Sequence, residues 1–328
     1  MKNIQADIKS GNFKQVYLLY GEEAYLKQQY KKNLVKALNP DGDTMNFNHY
    51  EGKGIDVKQL IDLCETMPFF AERRVVLLED TGFFKNKCEE LADYMKELPD
   101  YLYLVFAETE VDKRNRMYKA VKSCGSIAEF IRQDEKTLMR WAAGILGKAG
   151  KKITQRDMEL LLTKTGTDMG NLRMEMEKLI SYTEGRDVVT AEDIEEICTT
   201  QTTNRIFDMV RAVTEKNQKR ALELYYDLLT LKEPPMRILF LLAKQYRQLL
   251  LAKQFAAAGL AQTEIGSKLG VPGFVVKNIT TCARAYTISE LEQAVKDFVD
   301  AEESVKTGRL EDKLSVELLI IKYSSKVK

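Results

Sequence analysis

The chain has 328 residues, 45% of them hydrophobic and 30% charged, enough for two or three cored domains at roughly 100–150 residues each. Its net charge of +1 excludes a whole-molecule pull toward nucleic acid or an anionic surface. No apolar run approaches the ~20 residues of a membrane span, and the opening MKNIQADIKSGNF lacks the apolar centre of a signal peptide, so a cytoplasmic location and no membrane partner are expected.

From the N-terminus, strands and helices alternate. VYLLYG (16–21) is an apolar run closed by glycine, the pattern of a buried strand. A helix is expected over 22–38, where Leu26, Tyr30, Leu34 and Leu38 recur every four residues, and NPDGD (39–43) ends it with turn chemistry. MNFNHY (45–50), a helix at 56–65, the strand RVVLLE (74–79), a helix at 84–97, the strand YLYLVFAE (101–108), a helix at 113–122 and the short strand SIAEF (126–130) follow. Near-continuous apolar strands between helices predict a parallel sheet covered on both faces.

After Phe130 no further strands are expected. Residues 134–150 read as a helix with Leu138, Trp141, Ile145 and Leu146 on one side, and 151–166, 168–185 and 187–200 as further helices of a small domain. TTQTTN (199–204) is the best linker in the chain. Beyond it lie amphipathic helices at 205–215, 217–231, 235–257, 261–269, 272–284 and 289–305, and a last one through KLSVELLIIKYSS (313–325). Residues 1–135 carry a net charge of −3, 136–203 of −1 and 204–328 of +5, so the last third is mildly basic.

Five scattered cysteines with no C-x-x-C pair argue for reduced thiols, with neither a disulfide frame nor a zinc site. His49 is the only histidine, and no G-x-S-x-G stretch accompanies it. It reads as a bystander, and no metal, cofactor or catalytic residue is expected.

One stretch raises a sharper question. TMPFFAERR (66–74) sets two adjacent phenylalanines between a helix and a buried strand. Neighbouring residues point to opposite faces of a strand and about 100° apart on a helix, so a loop serving only the core seldom needs both rings. Phe69 and Phe70 are either inward core, the usual place for phenylalanine, or a hydrophobic wedge offered to another protein.

A strand–glycine–helix opening is also where phosphate loops form, because free backbone N–H groups and the helix dipole attract anions. Measured against G-x-x-x-x-G-K-[ST], Gly21 and Lys27 are in frame, but Leu26 stands where the second glycine belongs and Gln28 where the metal-binding hydroxyl belongs. Leucine puts a side chain where backbone must approach phosphate, glutamine offers the metal no hydroxyl, and Glu22-Glu23 add negative charge beside an anion site. The loop reads as degenerate and unable to work. Glu79-Asp80, after the apolar VVLL, then read as a remnant of an acidic metal-binding strand end. Arg173, in GNLR (170–173), either reaches toward a phosphate or pairs with Glu177 four residues on, the commoner outcome for an exposed helical arginine.

VYLLYGEEAYLKQQ after an N-terminal helix, ETMPFFAERRVVLLED, YLYLVFAE followed by VDKRNRMYKAVK, GNLRMEMEKL and SVKTGRLEDKLSVELLI stand in an order and spacing that resemble the delta subunits of bacterial DNA polymerase III clamp loaders. The resemblance covers essentially the full length. It implies a degenerate AAA+ module: an α/β parallel-sheet domain (1–135), an all-α lid (136–203) and an all-α collar (204–328). It further implies a subunit without ATP turnover, seated in a pentameric ring with ATP-hydrolysing and delta-prime subunits, within a holoenzyme that copies DNA. Such a subunit opens the beta sliding clamp, for loading onto primed DNA, through a tip placed here at Met67, Pro68, Phe69 and Phe70. This chain has Phe-Phe where the family often has Leu-Phe. Lys113, Arg114, Arg116, Lys119 and Lys122 read as a basic helix that either faces DNA inside the ring or is an ordinary solvated face. The rival reading is an active AAA+ ATPase acting on DNA or protein, and a third is an adaptor whose tip binds some other partner.

Overall fold

In the computed structural model, which describes residues 2–199, 202–271 and 273–325, the chain divides into two units, Met1–Gln133 and Asp134–Lys328. The first runs α1 (Lys2–Ser10), β1 (Val16–Tyr20), α2 (Ala24–Leu38), β2 (Phe47–Glu51), α3 (Val57–Glu65), β3 (Arg74–Glu79), α4 (Glu89–Tyr94), β4 (Leu102–Glu108), α5 (Arg116–Cys124) and β5 (Ser126–Glu129). All five strands are parallel and lie in the order β2-β3-β4-β1-β5. Side chains alternate across a strand, and both faces are apolar. Val16, Leu18, Val76, Leu78, Leu104 and Phe106 pack on one side with Leu60, Leu91, Met117 and Val121 of α3, α4 and α5. Tyr17, Leu19, Val75, Leu77 and Val105 pack on the other with Ile4, Leu34 and Leu38 of α1 and α2. The expected two-sided parallel sheet is present.

Two helices begin later than expected. The helix expected at 84–97 is confined to Glu89–Tyr94, because Phe83 and Phe84 turn into the core and Lys85 and Asn86 donate back to the Gly82 carbonyl. The helix expected at 113–122 starts at Arg116, because the Asn115 side chain accepts from the Met117 amide and so caps it there. Lys113 and Arg114 therefore precede the helix.

The second unit contains α6 (Glu135–Lys148), β6 (Lys152–Ile153), α7 (Gln155–Thr165), α8 (Met169–Tyr182), β7 (Val188–Val189) and α9 (Ala191–Ile197). It continues with α10 (Thr202–Thr214), α11 (Gln218–Thr230), α12 (Pro235–Ala257), α13 (Gln262–Leu269), α14 (Gly273–Ala283), α15 (Ile288–Lys306) and α16 (Asp312–Ser324). Two separate apolar cores form within it. One gathers Leu146, Leu161, Leu172 and Leu179, and the other Tyr225, Tyr246, Leu249 and Phe298. The expectation that strands stop at Phe130 is corrected by β6 and β7, which form a two-residue parallel ladder. Its cause is local: KIT and VVT each lead into a threonine that caps the next helix, Thr154 on α7 and Thr190 on α9, so the two approaches run side by side. Of the expected linker, residues 202–204 already belong to α10, while residues 200–201 lie outside the described residues. Among the described residues no helix is long and apolar enough to cross a membrane.

Candidate functional site

In a parallel sheet all strands start at one edge and end at the other, so two kinds of site are kept apart. The segment 66–73 enters β3 at the starting edge. The Gly21 junction leaves β1 at the finishing edge, a strand length of roughly 15–20 Å away.

At the starting edge Phe70 is 95% exposed, Met67 75% and Phe69 57%, while Pro68 is half-buried. Phe70 adopts the left-handed region, φ +50°, and its ring meets that of Phe69 edge-on with centroids 4.5 Å apart. Non-glycine residues seldom hold that backbone unless their surroundings fix it. The fixing groups are buried and polar. Asn46, 3% exposed, accepts from the Phe69 amide through Oδ1 at 2.6 Å and donates through Nδ2 to the Phe69 carbonyl at 2.8 Å. Its Nδ2 also donates to Asp43 at 2.5 Å, and that hydrogen bond, with one from the Met45 amide, holds the Asp43 carboxyl below its ordinary range. Arg74, 5% exposed, donates from Nε to the Thr66 carbonyl at 2.8 Å and from Nη2 to the Met67 carbonyl at 3.2 Å. Its Nη1 donates to the Asn48 side chain at 3.2 Å. Neither Asn46 nor Arg74 was expected from the sequence. The only signal was a charged residue abutting an apolar strand, which is common at strand ends.

At the finishing edge the remains of a phosphate loop have other work. A side chain on Gly21, φ +126°, would sit 2.3 Å from the Phe130 carbonyl oxygen, so glycine is required by close backbone approach to the end of β5. The Glu23 amide donates to that same carbonyl at 3.0 Å and the Ala24 amide to Glu22. Leu26 packs into the core beneath α1 and α2, and Gln28 is exposed. Lys27 is half-buried and turns its Nζ to the carbonyls of Glu108 (2.8 Å) and Gly21 (3.3 Å). Burial lowers its pKa, an effect that Asp80, Glu108 and Glu79 oppose.

The neighbouring carboxylates are engaged too. Glu79 accepts from Lys31 at 2.5 Å and His49 at 2.9 Å, and Asp80 caps the Thr109 amide and hydroxyl at 2.9 and 2.8 Å. Glu108, raised in pKa by burial, accepts from the Thr81 hydroxyl at 2.6 Å and amide at 3.1 Å. Among the described residues no group of three or more His, Cys, Asp or Glu is placed to hold a metal ion.

The basic segment divides. Lys113 pairs with Glu129 (3.0 Å), Arg114 with Asp112 (3.1 Å) and Arg116 with Asp93 (2.7 Å), while Lys119 and Lys122 lie exposed on α5. Arg173 pairs with Glu177 at 2.7 Å, the commoner of its two expected outcomes.

A parallel sheet with a strand–glycine–helix junction at its finishing edge, followed among the described residues by helices and one two-residue ladder, is an AAA+-like architecture joined to helical segments. Within that class the chain belongs to the DNA polymerase III delta subunit family. The family's delta-subunit region matches residues 17–130 and its C-terminal domain residues 203–323. The chain is 26% identical to DNA polymerase III subunit delta of Bacillus subtilis over 332 residues, covering 97% of this chain and 95% of that one. It is 22% identical over 276 residues to a probable DNA polymerase III subunit delta of Aquifex aeolicus, covering 80% and 77%. The solved structure of the Bacillus subtilis DNA clamp loader delta protein shares the fold across 99% of both chains, with a TM-score of 0.68 at 24% identity.

Proposed function

We propose that this chain is the non-catalytic clamp-loader subunit that binds and opens the beta sliding clamp through Met67, Pro68, Phe69 and Phe70. The observation that carries the reading is the 95% exposure of Phe70, held in a left-handed turn beside a 57% exposed Phe69 on an anchored loop. Large aromatic side chains presented this way are the usual anchors of protein interfaces. Opening a ring requires that the tip bind the open form better than the closed one, since a ligand shifts an equilibrium only by its differential affinity. The tip therefore fits a cleft that widens as the clamp opens.

ATP plays no part in this subunit's own chemistry. A triphosphate needs free amides, a free lysine and a metal, and the residues present do not fit it. Lys27 is turned to two carbonyls, the Glu23 and Ala24 amides are engaged, and Glu79, Asp80 and Glu108 each bond within the protein. These observations weigh against the rival reading of an independent ATPase. Control by ATP falls to ATP-hydrolysing neighbours, joined with this chain and a delta-prime subunit into a pentameric ring. We assign tip and sheet to residues 1–135, a lid to 136–203 and a collar that carries the assembly contacts to 204–328. Primed DNA is reached through the assembled complex, with Lys119 and Lys122 the cations of the basic segment left outside its ion pairs. The setting is cytoplasmic.

The test is direct binding of the purified chain to its cognate clamp. Retention of wild type with loss of Phe69→Ala/Phe70→Ala supports the reading, and equal binding by both sinks it.

A further inference from the structure

We propose that Asn46 and Arg74 are positioning residues that hold the 66–70 tip in its binding shape before any partner arrives. The proposal rests on the clamp-binding reading of the tip and names the groups that prepare it.

Three observations converge. First, packing alone gives the tip little order, because Met67, Phe69 and Phe70 are all mostly exposed. Second, two buried polar side chains from outside the tip meet its backbone at successive points. Arg74 takes the carbonyls of Thr66 and Met67, and Asn46 takes both the amide and the carbonyl of Phe69. The Asn46 side chain thus reads Phe69 as a neighbouring strand would, while its own backbone carbonyl accepts from the Val75 amide at 2.9 Å and fixes it to β3. Third, the arrangement is oriented. An asparagine amide can be turned either way, but the ionised Asp43 carboxylate can only accept, so the NH2 donor end at Nδ2 must face it. The Oδ1 end is then left for the Phe69 N–H.

Burying an arginine and an asparagine is unfavourable unless their hydrogen bonds are made. Here those bonds are made chiefly to the tip. What the polar pair adds is a fixed Phe69–Phe70 geometry, and a partner that meets an ordered loop does not have to order it on binding.

The experiment uses the full chain with two readouts. Hydrogen exchange at the Phe69 amide in the free protein needs no partner: Asn46→Ala is expected to speed it at least about tenfold while core amides such as Leu18 and Val105 are unchanged. Clamp affinity is then measured for Asn46→Ala with and without Phe70→Ala. A loss of about tenfold with Phe70 present is expected to shrink to roughly threefold or less once Phe70 is gone, as coupled residues behave. Asp43→Ala, at a partly exposed position, is expected to act in the same direction on both readouts. Unchanged Phe69 exchange, or an equal affinity loss in both backgrounds, overturns the proposal. If Phe70→Ala alone leaves affinity untouched, it is the clamp-binding reading that has failed.

Discussion

Replacing Phe69 and Phe70 together by alanine separates a wedge from a core pair, and the structure sets the expected sizes. Phe70 has almost no covered surface, and Phe69 has somewhat under half of its surface covered, in part by Phe70. Taking a phenylalanine as roughly 200 Å² and about 25 cal/mol per Å², the covered part is worth at most about 2.5 kcal/mol. Stability should therefore fall by no more than that, against about 3–5 kcal/mol for a buried phenylalanine. The exposed surface, about one and a half rings in all, is what a partner can cover. At about 1.5–3 kcal/mol per fully buried ring, its loss weakens clamp binding by about 2–4.5 kcal/mol, or roughly 50- to 2,000-fold. Denaturant unfolding gives the first quantity and titration of labelled clamp the second. A stability loss of 3 kcal/mol or more, with affinity retained in the folded fraction, would refute the wedge.

Other consequences follow from the finishing edge and the thiols. Gly21→Ala should destabilise by about 2 kcal/mol or more, seen as a lowered melting temperature, because of the positive φ and the 2.3 Å approach to Phe130; a neutral result would mean that the β1–β5 junction is looser than described. Equilibrium binding of ATP should be absent at micromolar concentration in wild type and Lys27→Ala alike, and turnover abolished by Lys27→Ala would restore the ATPase reading. Burial pushes the thiols of Cys64 and Cys198 up to about 12, whereas Cys124 is exposed. A raised folded pKa means that the protonated thiol is favoured below 12, so alkylation at pH 8 should label Cys124 first and reach Cys64 and Cys198 only on unfolding; early labelling of Cys64 would show that α3 opens beside the tip. Deleting 204–328 should abolish entry into the ring while leaving clamp binding, checked by gel filtration with the partner subunits, and normal assembly of the truncated chain would move the assembly contacts elsewhere.

Much of the architecture was legible because it rests on local pattern. Runs such as VYLLY and RVVLLE announce strands covered on both faces, and every-fourth-residue spacing in 24–38 announces α2. The positions of Phe69 and Phe70 were legible too, but not their exposure, since two rings in a loop fit a core as well as a wedge. What supports the tip was hidden for a physical reason. Asn46 reaches Phe69 across 23 positions and Arg74 reaches Thr66 across eight, and side-chain bonds to backbone leave no periodic trace. The late start of α5 was readable in principle, because Asn115 is a preferred capping residue. The five cations of 113–122 drew attention as a row, yet that cap splits the row, and three of the five meet acids that lie outside α5. The Gly21–Lys27 frame shows the opposite hazard: in-frame residues were present, but each answers to β5 and β4.

The central proposal is that this chain opens the clamp through its Phe69–Phe70 tip, and unloading by the isolated subunit tests it most directly. A cognate beta clamp is closed on circular DNA, and the purified chain is added without ATP at concentrations above its clamp affinity. The account predicts that wild type releases the clamp from the circle and that Phe69→Ala/Phe70→Ala does not. Tight binding by the wild-type chain with the clamp left on the circle would contradict it.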